Sequence, residues 1–207
     1  NEPGALEALV DRTVAEFGRI DIVVNNAGGT PPRGALQTSD RMFEAAFHFN
    51  VTTAFTLSRH AIPHMQKAGS GSIVNISSAA GRVPQANFVA YGTAKAALSF
   101  MTRQLAAEFA PVVRVNAIAV GAVKTSALMP FLNDDLRQAM EKLTPMKRLG
   151  EVEDIATMAL YLASPASSWV TGKVFEVDGG TEATNWPSWG LREPQRAVLF
   201  GRVEVFT

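Results

Sequence analysis

Val112-Val113-Arg114-Val115-Asn116-Ala117-Ile118-Ala119-Val120 is an apolar, β-branched run closed by Gly121, and it reads as a central strand. Residues 88–109, directly before it, read as a helix. Ala90, Ala94, Ala96 and Ala97 would let that helix pack closely against a sheet or another subunit. Before the helix stands a second apolar run, Ser72-Ile73-Val74-Asn75-Ile76-Ser77-Ser78, joined to it by a loop from Ala79 to Asn87. Strand, helix, strand at this spacing predicts parallel β/α units and an α/β fold. Two further runs extend the pattern on either side. Ile20-Asp21-Ile22-Val23-Val24 follows a helix at 3–18, whose stripe is Leu6, Leu9, Val10, Val14 and Phe17, with Gly18 as terminator. Val174-Phe175-Glu176-Val177 follows a helix at about 152–163 and runs into the turn Asp178-Gly179-Gly180.

Between these units lie two less regular parts. A long helical region starts near Ser39, a fair N-cap with Asp40 in the first turn, and runs towards Lys67. Asn50 sits in its middle, a poor helix former that periodicity alone allows to be an exposed position. Residues 122–150 contain Pro130, Pro145 and a short helix at 134–143. They follow a strand's C-terminal edge directly, which suits a substrate lid, or else they merely connect.

The 207 residues suffice for one domain with a substantial core. Formal net charge is zero and no Lys/Arg stripe forms, so neither nucleic acid nor an anionic membrane is an expected partner. No apolar run reaches the length of a membrane span, and the start has no signal-peptide layout, so the expected location is cytoplasmic. Absence of cysteine excludes disulfides, thiol catalysis and cysteine-ligated metal.

The chemistry centres on Tyr91-Gly92-Thr93-Ala94-Lys95. Four residues make about one helical turn, so phenol and ammonium share a face. A nearby cation is expected to pull the tyrosine down from its ordinary value of roughly 10, making Tyr91 a general acid or base near neutral pH. Ser78 ends its strand thirteen residues upstream and can point its hydroxyl into the same crevice. Asn25-Asn26-Ala27-Gly28-Gly29 follows the first strand. Its asparagines would hold neighbouring backbone or a nucleotide approaching over Ala27 and Gly28, or the segment is simply a turn that favours Asn and Gly. His60 and His64 are four apart, but Pro63 intervenes and no acidic ligand is near in sequence, so no metal site is expected.

Taken in order, Asn25-Asn26-Ala27-Gly28, Asn50, Ser78, Tyr91, Lys95 and Asp178-Gly179-Gly180 resemble the short-chain dehydrogenase/reductase family over residues 1 to about 185. Pro145 to Gly150 and Ser164 to Gly172 look like its 7α-hydroxysteroid dehydrogenase and 3-oxoacyl reductase branches. The resemblance implies a doubly wound, Rossmann-like parallel sheet, NAD or NADP as cofactor, and a small-molecule alcohol or ketone as substrate. It implies that Tyr91 moves the proton, Lys95 lowers its pKa and holds the nicotinamide ribose, Ser78 hydrogen-bonds the substrate oxygen, and Asn50 holds a relay water. It further implies that Asn25, Ala27 and Gly28 line the adenosine side, and that Gly121, Val123 and Thr125 meet the nicotinamide. A homodimer or homotetramer through the helices at 39–67 and 88–109 is also implied.

Three departures from the family stand out. The family's glycine-rich turn between its own first strand and first helix has no counterpart here, so that residues 1–184 correspond to the C-terminal two-thirds of such a domain. Strand Ile20–Val24 is then expected to be an exposed parallel edge, in a fragment of a longer protein or a chain with impaired cofactor binding. Val120-Gly121 replaces the family's Pro-Gly. Residues 185–207 form a C-terminal extension, in which 197–206 would pair as a hairpin or form an unrelated tail. The leading expectation is an oxidoreductase for secondary alcohols and ketones. A truncated chain that only oligomerises, and a 3-oxoacyl thioester reductase, are the competing readings.

Overall fold

The two longest apolar runs become the centre of the sheet. β2 (Gly71–Ser78) and β3 (Val113–Val120) pair in parallel along their whole lengths, from Gly71 opposite Val113 to Ser78 opposite Val120. β1 (Ile22–Asn25) adds beside β2 and β4 (Val174–Val177) beside β3, giving the all-parallel order β1-β2-β3-β4. The computed structural model describes residues 4–187.

Strand periodicity sends alternate residues to opposite layers. Val23, Ile73 and Val115 face α1 (Ala5–Phe17), α3 (Thr53–Ala68) and α4 (Val89–Phe109), where Val10, Met65 and Leu105 complete a dry core. Val74 and Ile118 face α6 (Val152–Ala163) and pack on Leu162. That second layer stops short of β1. Ile22 and Val24 are 48% and 46% exposed, so β1 is the bare apolar edge that its sequence predicts. Among the described residues no helix is long and apolar enough to cross a membrane.

The region after Ser39 is not one uniform helix. Ser39 accepts a hydrogen bond from the Met42 amide and caps α2 (Asp40–Phe47), as its residue type predicts. Residues His48–Thr52 then form a π-turn before α3 continues, and Asn50 lies on that turn, fully buried. The exposed position that periodicity allows is therefore wrong, because the widened turn swings Asn50 inward. α5 (Asp134–Leu143) starts at Asn133, whose side chain accepts from the Leu136 amide at 2.8 Å. It packs through Leu136 and Met140 against Leu149, and Trp186 joins this cluster. The hairpin expected at 197–206 lies outside the described residues.

Candidate active site

The crevice opens where β2 and β3 end and α4 begins. Ser78 is the last residue of β2, and its hydroxyl accepts from the Ala80 amide, turning the chain into the short helical turn 79–81. That turn lies on the backbone of α4. A Cβ on Gly81 would meet Ala96 N at 2.8 Å, and one on Gly92 would meet Ala80 O at 2.7 Å. Two glycines thus permit the approach that brings the Ser78 hydroxyl beside Tyr91. Ser77 pins the same contact, donating to Lys95 O at 3.0 Å and pairing with Ser99 at 2.7 Å.

Tyr91 and Lys95 stand one turn apart, as their spacing requires, with Lys95 Nζ 5.7 Å from the centroid of the Tyr91 ring. Lys95 is only 3% exposed, and its ammonium donates to Ile76 O at 2.8 Å. Burial pulls the Lys95 pKa down to about 8. Burial pushes the Tyr91 phenol up, while the nearby Ser78 hydroxyl pulls the other way. The direction expected for Tyr91 from its sequence is thus reversed in the protein alone. Desolvation of the phenolate outweighs the favourable neighbours, and the same burial weakens the lysine's hold on its own charge.

Asn50 is bonded all round. Its Oδ1 accepts from Gly29 N at 2.9 Å, and its Nδ2 donates to Ala46 O at 2.8 Å, Gly29 O at 3.1 Å and Thr30 Oγ1 at 3.2 Å. The side chain therefore ties the π-turn to the 28–30 loop. A Cβ on Gly28 would come within 2.8 Å of both Asn50 Oδ1 and Lys95 Nζ. Asn25 differs from its expected placement. It is 7% exposed, and its Nδ2 donates to Asn75 Oδ1 at 2.7 Å and Ser58 Oγ at 3.1 Å. Asn75 continues the chain to Thr102 Oγ1 at 2.9 Å. The Asn25 side chain belongs to a buried network under β1, not to the crevice wall, because strand alternation turns it inward with Val23. Ala27 and Gly28 are exposed beside it.

Across the crevice, Gly121 sits against the turn after β4, where a Cβ would meet Asp178 Cα at 2.5 Å. Val123 bridges to Gly150, closing the base of the 122–150 segment, and Thr125 caps a turn at Leu128. Gly121, Val123 and Thr125 share one cavity of about 290 Å³ with Ser78 and Tyr91. The same cavity holds Phe88, Asn185 and Trp186, which no local sequence signal marks as site residues. Arg82 gives no such signal either. It ties this region together through Glu176 at 2.9 Å, Asp178 at 3.2 Å and Thr181 O at 2.6 Å.

The residues present fit a nicotinamide dinucleotide at one point in particular. Lys95 Nζ hydrogen-bonds a single protein acceptor among the described residues, leaving two of its three donors unmatched close to Gly28. Vicinal ribose hydroxyls match two such donors. Away from the crevice, His60 Nε2 lies 3.3 Å from Glu7 Oε1, an acidic neighbour that sequence separation hid.

The family model described as enoyl-(acyl carrier protein) reductase matches residues 1–182. An uncharacterized oxidoreductase of Mycobacterium tuberculosis is 51% identical over 185 residues, covering 88% of this chain and 70% of its own. The 7α-hydroxysteroid dehydrogenase of Escherichia coli K12 is 41% identical, covering 84% and 69%. A solved 7α-hydroxysteroid dehydrogenase, complexed with NADH and 7-oxo glycochenodeoxycholic acid, superposes with a TM-score of 0.82 at 40% identity. That match covers 85% of this chain and 69% of the solved one.

Proposed function

This chain belongs to the short-chain dehydrogenase/reductase family of oxidoreductases, and from that membership we propose that it interconverts a secondary alcohol and a ketone with NAD(P). The observation that carries the reading is the convergence of Ser78 and Tyr91 on one cavity, with the buried Lys95 ammonium behind the phenol ring. A nicotinamide bound there would supply or accept the hydride. The protein's own residues manage the oxygen and the proton.

In the reducing direction Tyr91 holds its proton, since burial keeps the phenol neutral, and delivers it to the substrate oxygen. Ser78 donates a hydrogen bond to that oxygen and stabilises the charge developing there. Lys95 faces the phenolate left behind, and a charged Lys95 lowers the cost of forming it. Its remaining donors would hold the ribose hydroxyls of the cofactor. Asn50 acts at one remove, holding Gly28–Thr30 against Lys95. Ala27, Gly28, Gly121, Val123 and Thr125 line the cofactor side in this reading. Exposed Phe55 and Phe100 on α3 and α4 support a homo-oligomer through that helix face.

The test is a titration of the purified chain with NADH and NADPH by calorimetry, followed by ketone reduction read at the nicotinamide absorbance. Saturable binding of one nucleotide and turnover of a ketone are expected. A folded protein that binds neither would overturn the reading.

A further inference from the structure

We propose that Gln85 is a specificity-determining residue, whose side-chain amide holds a second, uncharged oxygen of the substrate while the first reacts. This rests on the oxidoreductase reading and assigns a further residue of the same site.

Ser78 closes β2, Tyr91 lies in the first turn of α4, and Gln85 stands on the loop that joins them. The backbone on both sides of Gln85 is fixed. Towards Ser78, Val83 is buried and its amide donates to Ala79 O at 2.7 Å, while Arg82 donates to Thr181 O at 2.6 Å. Towards Tyr91, the Phe88 amide donates to Gln85 O at 3.3 Å, and the Arg33 amide donates to Asn87 O at 2.6 Å. Pro84 locks its own φ directly before Gln85. Gln85 therefore rides on a frame tied to both reacting hydroxyls. It is half-buried and lines the cavity that they share.

The other hydroxyl and amide side chains of that cavity are already engaged. Ser78 and Tyr91 bond each other, Thr125 Oγ1 accepts from the Leu128 amide, and Thr181 Oγ1 donates to Asp178 O. Asn185 Nδ2 donates to Thr144 Oγ1 at 2.9 Å. Gln85 alone among these side chains makes no hydrogen bond within the described residues. Its neighbours in the lining, such as Ala79, Phe88, Leu128 and Met140, are apolar and offer it nothing. A free amide presents two donors and an acceptor, which matches a hydroxyl or a carbonyl. No charged side chain lines the cavity, so a carboxylate or an ammonium would find no counter-charge there. An apolar group packed on the amide would strip its water and leave it unpaired, so a substrate lacking the second oxygen is discriminated against.

The experiment compares two matched pairs of ketones on the full chain with its preferred nucleotide. One pair is butanone and its terminal hydroxy derivative; the other is cyclohexanone and the derivative hydroxylated opposite the carbonyl. In at least one pair the wild type is expected to favour the hydroxyketone about tenfold in kcat/KM, chiefly through KM, the worth of one net hydrogen bond. Gln85→Met keeps the length of the side chain and removes its hydrogen-bonding groups. It should level that pair while leaving kcat/KM for the parent ketone within about twofold of wild type. A wild type with no preference in either pair, or a preference that persists in Gln85→Met, would overturn the role of Gln85 and leave the oxidoreductase reading intact. No turnover of any of these ketones by the wild type, or full turnover by Tyr91→Phe, would overturn the reading beneath it.

Discussion

Lys95 Nζ lies 5.7 Å from the centroid of the Tyr91 ring while donating to Ile76 O at 2.8 Å. A cation is thus stored almost out of water beside a phenol that burial keeps protonated. The same burial that lowers the Lys95 pKa to about 8 raises that of Tyr91, so the lysine is brought towards neutral pH while the phenol keeps its proton.

Tyr91→Phe removes one oxygen and nothing from the packing between Phe88 and α4. Turnover is expected to fall by about two to four orders of magnitude, the usual worth of a general acid. Nucleotide affinity and the circular-dichroism spectrum should not change. Ser78→Ala should cost about a hundredfold in kcat, as expected for one donor to a developing oxyanion. Steady-state kinetics on both variants check this.

Lys95→Met should reveal what the buried charge costs the fold. The folded-state pKa of about 8 lies below that of the unfolded chain, so the unfolded state binds the extra proton between those values. Wild-type stability therefore falls as pH drops from above the unfolded value to about 8, and is level below that. Relative to wild type, the variant should gain roughly 3 kcal/mol between pH 11 and pH 7. Urea unfolding of both proteins across that range measures the difference. A gap that does not change with pH would refute it.

Gly92→Ala places a methyl 2.7 Å from Ala80 O, a backbone atom that cannot swing aside. The turn 79–81 must move away from α4, carrying Ser78 from Tyr91. A loss of about 1–3 kcal/mol in stability and a lower kcat at near-normal KM are expected. Chemical denaturation with parallel kinetics separates the two effects.

Asn25→Ala tests whether this residue serves the fold or the ligand. It leaves Asn75 Oδ1 without its 2.7 Å donor in a dry layer, so stability should drop by about 1–3 kcal/mol. The nucleotide dissociation constant should stay within about twofold. A large rise in that constant with unchanged stability would return Asn25 to the binding surface.

Much of this protein is determined by short-range pattern. The runs at 72–78 and 112–120, with an alanine-rich helix between them, dictate parallel β/α units, since a parallel pair requires a crossover of this length. Ser39 caps α2 because its hydroxyl reaches an orphan amide three residues on. The spacing of Tyr91 and Lys95 places them one turn apart whatever the rest of the chain does. Other features were decided only by tertiary structure. Asn50 looked like a weak point on a helix, yet a π-turn buries it against a loop about twenty residues earlier. Asn25 was expected at the crevice, but the pleat of β1 turns it inward to Asn75. The direction of the Tyr91 shift follows from burial, a property of the packed layers that no neighbour in sequence reports. Trp186 reaches the cavity from beyond the family-matched residues because Arg82 and Thr144, both distant from it in sequence, hold its segment there. Periodicity and caps act within one turn or one strand, whereas desolvation and cross-chain hydrogen bonds exist only once the layers have closed.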